Sequence, residues 1–410
     1  MSLPLHQQTL SLDHNAFAHL LATTENLLII QDLDGVCMGL VNDPLNRSIS
    51  SAYVRATQAF GPHFYVLTNG EHTGRRGVNG IIDQAFETQV LEGYLPGLAA
   101  GGVQWQHRDG AVSHPGVSDA ELAFLKQVPA QMEACLRDFF QTHPLPSTQQ
   151  GIDQYIAASV LDNTASPTVN LNSLYSALAE DNDTFVALQE RLRSLLETLL
   201  TQASEQGLED AFFIHYAPNL GSAEGTEIVW FARPGESGTT DFQFMLRGAV
   251  KEAGVLALLN HYIFQRTGDY PLGKTFSARE APSSLAELVA LAKAHFDPER
   301  MPLIVGVGDT VTAQEKDGMV KRGGSDRNFL QLIQALNEVF NSGNLTVYVD
   351  SSGGELKNRK PLQLATENGR QRIVSGPGDT ADPLRLNVAF PGGHQQYCEF
   401  FEKGAAERSR

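Results

Sequence analysis

The stretch Leu27-Leu28-Ile29-Ile30-Gln31-Asp32-Leu33-Asp34-Gly35-Val36 decides how the rest of this chain folds. Its first four residues form a continuous apolar run, which is typical of a strand buried on both faces of a parallel sheet. Two carboxylates, Asp32 and Asp34, follow at the point where the strand should end. Because ligands bind at the carboxyl edge of open α/β sheets, we expect both acids to lie in a site at that edge.

A second strand is predicted at residues 64–67, and it ends in Thr68-Asn69-Gly70. Residues 48–60, between the two strands, have apolar side chains at helical spacing, and Gly61 ends this predicted helix. A strand, a helix and a strand in succession indicate a parallel pair with a right-handed crossover. Thr68 and Asn69 should therefore lie beside the two acids.

The same alternation returns in the last third of the chain, which predicts more strands for the same sheet. The predicted helices are 248–264 and 327–340, and the predicted strands are 303–307, 345–349 and 384–390.

The middle of the chain has a different pattern, typical of an α+β unit. Asp109-Gly110 lies between two short strand-like runs, which indicates a hairpin. Helices are predicted at 120–140 and at 184–203, the latter with Asp183 as its N-cap, and strands at 212–216 and 228–231. We therefore predict an α/β core with a parallel sheet flanked by helices, built from residues 1–102 and 241–410, and an inserted α+β cap domain at 103–240.

Composition excludes several classes of function. The 410 residues carry a net charge of -17, and the basic residues are scattered, so nucleic-acid binding is not expected. The three cysteines show no CxxC spacing, which argues against a zinc site and a disulfide framework. No stretch is apolar and long enough for a membrane span, and the first residues do not resemble a signal peptide. We predict a cytoplasmic protein with no membrane partner.

Three interpretations of Asp32 and Asp34 can be compared. A calcium loop of the EF-hand type needs glycine at its sixth position and glutamate at its twelfth, where this chain has Cys37 and Asp43. The acids could also be a solvated, inert pair. Alternatively, one carboxylate attacks phosphorus and the other, on the same side of an extended backbone, exchanges protons with the leaving group and water. Since that attack brings two anions together, it favours Mg²⁺ as a cofactor.

The third interpretation requires a phosphate-binding hydroxyl, a cation and a further acid. Thr68 ends the second strand, Lys251 lies on a predicted helix, and Asp309 follows the strand that ends in Gly306-Val307-Gly308. Arg247, one turn before Lys251, competes with it for the role of phosphate-binding cation.

Four motifs carry a resemblance to a known family. DLDGV (32–36), VLTNG (66–70), the lysine of VKEAG (250–254) and VGVGDT (305–310) resemble, in order, the four motifs of the haloacid dehalogenase (HAD) superfamily of phosphatases. A cap between the second and third motifs is similar to the branch that acts on sugar phosphates. The resemblance implies a Rossmann-like core, Mg²⁺ and a sugar phosphate substrate.

The resemblance also implies roles for individual residues. Asp32 would be the nucleophile and a metal ligand, and Asp34 the acid/base, with its backbone carbonyl on the metal. Thr68, Asn69 and Lys251 would bind the phosphate. Asp309 would be a further metal ligand.

The chain departs from the branch in one place. A second acid usually follows four residues after the motif-four aspartate, but Ala313 stands there. Residues 312–323 look like an inserted hairpin with its turn at Lys316-Asp317-Gly318. We infer that Asp326 takes the displaced acid position, directly or through a metal-bound water.

Polar side chains near the second motif and in the cap are the predicted substrate contacts. They are Glu71, His72, Asn163, Asn170 and Asn172. Association with the synthase that makes the phosphorylated sugar is a further expectation. A protein that binds the phosphosugar or the synthase without turnover is the alternative from another class.

Overall fold

The computed structural model describes residues 3–409 except 9, 43, 75, 88–92, 146–148, 218–221, 224–225, 317–318, 357–358, 360, 368–369 and 379–380. Its helices are α1 (His14–Thr23), α2 (Ser51–Gln58), α3 (Val78–Phe86), α4 (Asp119–Leu125), α5 (Val128–Thr142), α6 (Gln149–Ser159), α7 (Asn172–Ala177), α8 (Asn182–Glu205), α9 (Lys251–Thr267), α10 (Leu285–His295), α11 (Arg327–Phe340) and α12 (Gly393–Arg408).

The strands follow in the same chain order. They are β1 (Leu27–Gln31), β2 (Phe64–Leu67), β3 (Gly97–Ala99), β4 (Gln104–Gln106), β5 (Val112–Ser113), β6 (Val160–Leu161), β7 (Thr168–Asn170), β8 (Phe212–Ala217), β9 (Ser222–Ala223), β10 (Thr226–Glu227), β11 (Asp241–Leu246), β12 (Leu303–Gly308), β13 (Thr312–Lys316), β14 (Met319–Gly323), β15 (Leu345–Val349), β16 (Gln363–Glu367), β17 (Arg370–Ser375) and β18 (Val388–Phe390).

The main sheet has the order β18-β15-β12-β1-β2-β3-β4-β5. Its strands run parallel from β18 to β3, while β4 and β5 are antiparallel additions at one edge. Strand β1 lies between β12 and β2, so that Ile30 pairs with Gly306 on one side and with Tyr65 on the other. The predicted parallel α/β sheet is therefore confirmed, and the ends of β12, β1 and β2 are neighbours.

Strand β1 is apolar throughout because both of its faces are covered. Leu27 and Ile29 pack into a cluster with α1, α2 and α12, while Leu28 and Ile30 pack into a second cluster with α9, α10 and α11. All four side chains are buried. Burying an aliphatic side chain of this size stabilises the fold by roughly 1.5–3 kcal/mol. These two apolar layers fix the position of the strand end that carries the acids.

A second sheet, with the antiparallel order β6-β7-β11-β8, forms the inserted α+β unit. Val169, Phe242 and Phe244 project from one face of it into a cluster that includes residues of α5 and α8. The N-cap of α8 is Asp181, whose carboxylate accepts a hydrogen bond from the Thr184 amide at 3.1 Å. The prediction of Asp183 as this cap was wrong, since the helix begins at Asn182, two residues earlier than predicted.

Strand pairing bears on where the inserted unit begins and ends. The predicted hairpin around Asp109-Gly110 is present, but β4 and β5 extend the main sheet through pairs such as Leu98 with Trp105. Strand β11 instead pairs with β7 and β8. We therefore propose boundaries near residues 114 and 247, in place of the 103 and 240 expected from sequence.

Several other elements differ from their predicted bounds. Helix α9 begins at Lys251 rather than at Gly248, whose φ of +83° ends the preceding turn outside the helix. Residues 228–231 are not a strand, and the last strand covers only 388–390 of the predicted 384–390.

The inserted hairpin after Asp309 is present as the pair β13–β14. Its predicted turn residues Asp317 and Gly318 lie outside the described residues. The hairpin β16–β17 was not predicted from sequence. Among the residues that the structure describes, no helix is long and apolar enough to cross a membrane.

Candidate active site

Asp32 and Asp34 stand at the carboxyl end of β1, as predicted. Asp32 is buried, and its amide donates a hydrogen bond to the Val307 carbonyl at 2.9 Å, which continues the pairing of β1 with β12 by one residue. Asp34 lies further out, with 31% of its side chain exposed, and pairs with Arg47 at 3.1 Å. The two carboxylates therefore occupy the inner and outer parts of one site.

Three carboxylates form the inner part of the site. One oxygen from each of Asp32, Asp309 and Asp326 lies within 4.8 Å of the others, and all three residues are buried. Asp309 follows β12, the neighbour of β1, and Asp326 immediately precedes α11. The structure thus brings Asp326 into the acid cluster despite the inserted hairpin between it and Asp309.

Asp326 is held by both of its oxygens. Its Oδ2 accepts hydrogen bonds from the amides of Asp309 and Thr310, each at 2.9 Å, and its Oδ1 accepts one from Lys251 Nζ at 2.6 Å. Gly308 makes this approach possible, because a Cβ at that position would lie 2.7 Å from Asp326 Cβ. The glycines of the fourth motif are therefore explained by packing: a Cβ at Gly306 would lie 2.5 Å from the side chain of Ile333 on α11.

Lys251 is the cation of the inner site. It is the first residue of α9 and is buried, and its Nζ lies 2.9 Å from Asp32 Oδ2 as well as 2.6 Å from Asp326 Oδ1. Arg247 is exposed and donates its Nε to the Asp210 carbonyl at 3.1 Å. Lys251, and not Arg247, is thus the cation in contact with Asp32.

Burial and mutual repulsion perturb the acids. Burial, followed by repulsion from Asp326, raises the pKa of Asp32 to about 8, although Lys251 opposes the shift. Burial also raises the pKa of Asp309 to about 6. Burial also acts to raise the pKa of Asp326, but the attraction to Lys251 and the hydrogen bonds that Asp326 accepts outweigh burial, so the pKa of Asp326 is lowered. The pKa of Lys251 is raised, since the two neighbouring carboxylates outweigh burial. The cluster therefore has an excess of negative charge that a cation would relieve.

The residues present fit a divalent cation with oxygen ligands. In the described part of the chain, Asp32 Oδ1 and Asp309 Oδ2 are buried and accept no hydrogen bond, although Arg359 lies 3.6 Å from Asp309 Oδ2. Gly35, with φ of +81°, leaves the space for Asp309, because a Cβ there would lie 2.2 Å from Asp309 Oδ2. Buried carboxylate oxygens without donors are costly unless they are paired or bind a metal, and such hard ligands suit Mg²⁺.

The outer part of the site begins at Thr68. Thr68 is buried at the end of β2, and its Oγ1 accepts a hydrogen bond from the Gly70 amide at 3.2 Å. A Cβ on Gly70 would lie within 3.8 Å of Thr68 Oγ1, Asp34 Oδ2 and Arg47, so these three groups surround one point. Asn69 lies beside them and is half-buried. Thr68, a predicted phosphate-binding residue, thus lies near Asp34, the predicted acid/base.

Glu71 and His72, two predicted substrate contacts, are bonded within the protein. The Glu71 carboxylate accepts hydrogen bonds from the amides of residues 164, 165 and 166 at 2.7, 2.7 and 3.0 Å. His72 is fully buried, its ring bonds to Gln106, and burial lowers its pKa to about 4. We therefore propose that both side chains hold structure rather than contact substrate.

The three predicted asparagine contacts lie in the cap. Asn163 donates to the Ser166 carbonyl at 3.2 Å, and Asn170 donates to Asp241 Oδ1 at 2.6 Å. Asn172 begins α7, and its amide donates to Asn170 Oδ1 at 3.1 Å. Their contact with a substrate stays a prediction.

Two cations of the site were missed from sequence. Arg47 reaches Asp34 from the segment before α2, and Arg359 lies 3.6 Å from Asp309 in the segment after β15. Neither belongs to a motif or to a periodic pattern, so no local signal marks them.

Comparisons with known proteins agree with one another on the family. A family model described as glucosylglycerol-phosphate phosphatase matches residues 26–405. A protein from Synechocystis sp. named glucosylglycerol-phosphate phosphatase is 59% identical over 414 residues, which cover 98% of each chain.

Solved structures of low sequence identity also align with the chain. The C-terminal domain of trehalose-6-phosphate phosphatase from C. albicans aligns with 97% of this chain and 98% of its own, at 10% identity and a TM-score of 0.44. Trehalose-6-phosphate phosphatase from Aspergillus fumigatus aligns with 98% of this chain and 100% of its own, at 10% identity and a TM-score of 0.38.

Proposed function

The chain belongs to the glucosylglycerol-phosphate phosphatase family, and from this premise we propose that it is a Mg²⁺-dependent phosphatase that hydrolyses glucosylglycerol 3-phosphate. Its product would be glucosylglycerol, a compatible solute made under salt stress. The observation that carries the proposal is the inner site, where Lys251 Nζ lies 2.9 Å from Asp32 Oδ2 within a cluster of three buried carboxylates.

In the first step, an Asp32 oxygen forms a bond to phosphorus while the bond from phosphorus to the glycerol oxygen breaks. The leaving oxygen takes a proton from Asp34, which is the more exposed of the two acids and therefore accessible from the substrate side. Thr68 and Lys251 hold the transferred phosphoryl group. The acid cluster would bind Mg²⁺, whose charge offsets the repulsion between Asp32 and the phosphate.

In the second step, Asp34 takes a proton from water, and the water oxygen attacks phosphorus. Inorganic phosphate leaves, the Asp32 carboxylate is regenerated, and Asp34 is again protonated for the next turnover. Asp326 Oδ1 keeps a lone pair beyond its hydrogen bond to Lys251, so it is the Asp326 atom that we propose to face the metal, directly or through a water.

The sugar would bind to the polar face of the cap sheet. We use this term for the side chains opposite the apolar cluster, which are Thr168, Asn170, His215, Asp241 and Gln243. Burial raises the pKa of Asp241 to about 6, and Asn170 donates to it. Paired donors and acceptors of this kind suit sugar hydroxyls.

Two rival substrates are sucrose phosphate and mannosylglycerate phosphate. The test is phosphate release by the purified protein with Mg²⁺ across these three sugar phosphates. We expect the highest kcat/KM for glucosylglycerol 3-phosphate, and a preference for either rival would refute the substrate assignment.

The rival from another class is a regulator that binds the phosphosugar or its synthase without turnover. Asp32→Asn should lower phosphate release by roughly a thousand-fold or more, since it removes the nucleophile. Equal phosphate release by the wild type and Asp32→Asn would contradict the mechanism. Titration calorimetry in EDTA and then in Mg²⁺ would detect binding without turnover. Association with the synthase and a cytoplasmic location stay predictions.

A further inference from the structure

The loop after β2 holds one segment of the cap through two oppositely charged side chains. Glu71 accepts the amide hydrogen bonds of residues 164–166, a hydroxyl from Ser166 at 3.3 Å and an amide from Gln104 at 3.1 Å. A buried carboxylate with five donors has exchanged water for protein partners, so it forms a strong and specific contact.

Arg76, at the other end of this loop, holds the same cap segment at its beginning. Its Nη1 donates to the Val160 carbonyl at 2.6 Å, and its Nη2 donates to the Ala157 carbonyl. The Ala157 carbonyl lies in the last turn of α6 and Val160 directly follows the helix, a position where a cation also interacts favourably with the helix dipole. The Arg76 side chain is 2% exposed. We call the contacts of Glu71 and Arg76 with residues 157–166 the latch.

The latch lies away from both points at which the chain passes between core and cap. We placed those crossings near residues 114 and 247, whereas residues 157–166 include the end of α6 and strand β6, inside the cap. At the crossings, Arg279 of the core donates to Glu121 of the cap at 2.7 Å and to the carbonyls of Gly116 and Arg247 at 3.0 Å each. The latch attaches a different part of the cap, and the two sets of contacts together define one docked position of the cap.

Arg47 connects this docked position to the acid/base. Its Nη1 lies 3.1 Å from Asp34 Oδ2, and its Nη2 donates to the backbone carbonyl of Arg76. The guanidinium is a rigid, planar fork, so one side chain can satisfy both acceptors only while they keep their spacing. A continuous path runs from the cap segment through Arg76 and Arg47 to Asp34.

We propose that Arg47 is a positioning residue that holds Asp34 in its working geometry when the cap is docked through the latch. This inference rests on the proposed function, in which Asp34 exchanges protons with the leaving group. Undocking the cap moves the Arg76 carbonyl, Arg47 follows, and Asp34 loses its alignment. Proton transfer is thereby confined to the state in which the cap covers the substrate.

The central test is a double-mutant cycle on the proposed substrate. Arg47→Met should lower kcat by roughly ten- to a hundred-fold, the scale of a 1 Å misplacement, with KM and inhibition by inorganic phosphate unchanged. In an Asp34→Asn background the same change should cost about threefold or less, because the group that Arg47 positions is already gone. Arg55→Met is the matched control, since Arg55 is exposed on α2 and lies over the Phe86 ring, and it should retain wild-type kcat.

Arg47→Lys separates charge from geometry. Lysine keeps the positive charge near Asp34 but lacks the planar guanidinium that reaches the Arg76 carbonyl. We therefore expect Arg47→Lys to lose most of the kcat that Arg47→Met loses. Wild-type kcat in Arg47→Lys, or an equal loss from Arg47→Met in both backgrounds, would overturn the proposal. So would a weakened inhibition by phosphate, which would make Arg47 a phosphate ligand.

Hydrogen exchange tests the latch without turnover. In Arg76→Met the amides of residues 164–166 should exchange faster and kcat should fall, whereas in Arg47→Met those amides should stay as protected as in the wild type. If Arg76→Met does not fold, Arg76→Lys takes its place. Wild-type kcat in a variant whose latch amides exchange faster would refute the coupling. If the wild type releases no phosphate, the proposed function fails, and this exchange comparison still decides whether the latch exists.

Discussion

Gly308→Ala tests how tightly the acid cluster depends on packing. The added Cβ would lie 2.7 Å from Asp326 Cβ and 2.8 Å from its Oδ2, about 0.7 Å short of an ordinary contact at 3.4 Å. Asp326 has little freedom to move away, because the amides of Asp309 and Thr310 and the Lys251 ammonium hold its two oxygens. The substitution must therefore displace the carboxylate or its partners.

A displacement of this size should lower kcat/KM by roughly ten- to a hundred-fold and shift the Mg²⁺ dependence of activity to higher concentration. Overpacking should also cost about 1–3 kcal/mol of unfolding free energy. The assay is phosphate release as a function of Mg²⁺ concentration, with urea unfolding of the same samples.

Gly404→Ala is the matched control. Gly404 lies on α12, and a Cβ there would meet no atom within 4 Å, so activity should be unchanged and the helix slightly more stable. Wild-type Mg²⁺ dependence in Gly308→Ala would refute the reasoning, since it would mean that Asp326 can move without consequence for the metal.

Three further predictions concern protons and the latch. Burial raises the pKa of Asp32 to about 8 and that of Asp309 to about 6, so Mg²⁺ binding near neutral pH should release about one proton and should strengthen as pH rises from 6 to 8. Calorimetry in two buffers of different ionisation enthalpy measures the proton release, and Mg²⁺ binding without it would contradict the prediction. Burial lowers the pKa of His72 to about 4, so between pH 6.5 and 4 the imidazole gains a proton only in the unfolded state. The unfolding free energy should therefore fall by up to about 3 kcal/mol as pH is lowered over this range, and it should fall less in His72→Gln. Urea unfolding at several pH values measures both, and an equal fall in the two proteins would refute the prediction. Glu71→Gln should weaken the latch by roughly 1.5–3 kcal/mol and speed exchange of the amides at 164–166, and unchanged protection there would count against the latch.

The site residues at strand ends could be predicted because each stands at a predictable place. Asp32, Thr68 and Asp309 follow apolar strands, and the ends of neighbouring parallel strands meet at one edge. Lys251 and Asp326 needed the family motifs as well, since local spacing does not show which helix start turns toward the site.

The contacts of Glu71, His72 and Arg47 could not be predicted in the same way, because they join segments that are distant in sequence. Glu71 and His72 follow a motif, which suggested substrate contact, but their partners include Gln104, Gln106 and residues 164–166. Arg47 lies in an irregular segment whose composition carries no signal for its neighbour. Burial and pairing of such side chains depend on tertiary packing, which a local pattern does not contain.

The assignment of strands to sheets was also limited by what a local sequence pattern contains. Strand β4 was predicted as part of a hairpin in the cap, yet it extends the main sheet. Strand β11 was not predicted, and it joins the cap sheet although its residues were assigned to the core. A hairpin is specified locally by its turn, whereas the sheet that it extends depends on an edge formed elsewhere in the chain. The domain boundaries that we propose therefore follow from pairing and not from composition.

The most direct test of the central claim is to follow the phosphoryl group in a single turnover. Wild-type protein with Mg²⁺ is mixed with glucosylglycerol 3-phosphate carrying a labelled phosphate, quenched in acid at short times, and its peptides are mapped. We predict that label appears on the peptide containing Asp32 before free phosphate accumulates, and that Asp32→Asn acquires none. Free phosphate formed at the full rate with no label on Asp32 would contradict the account.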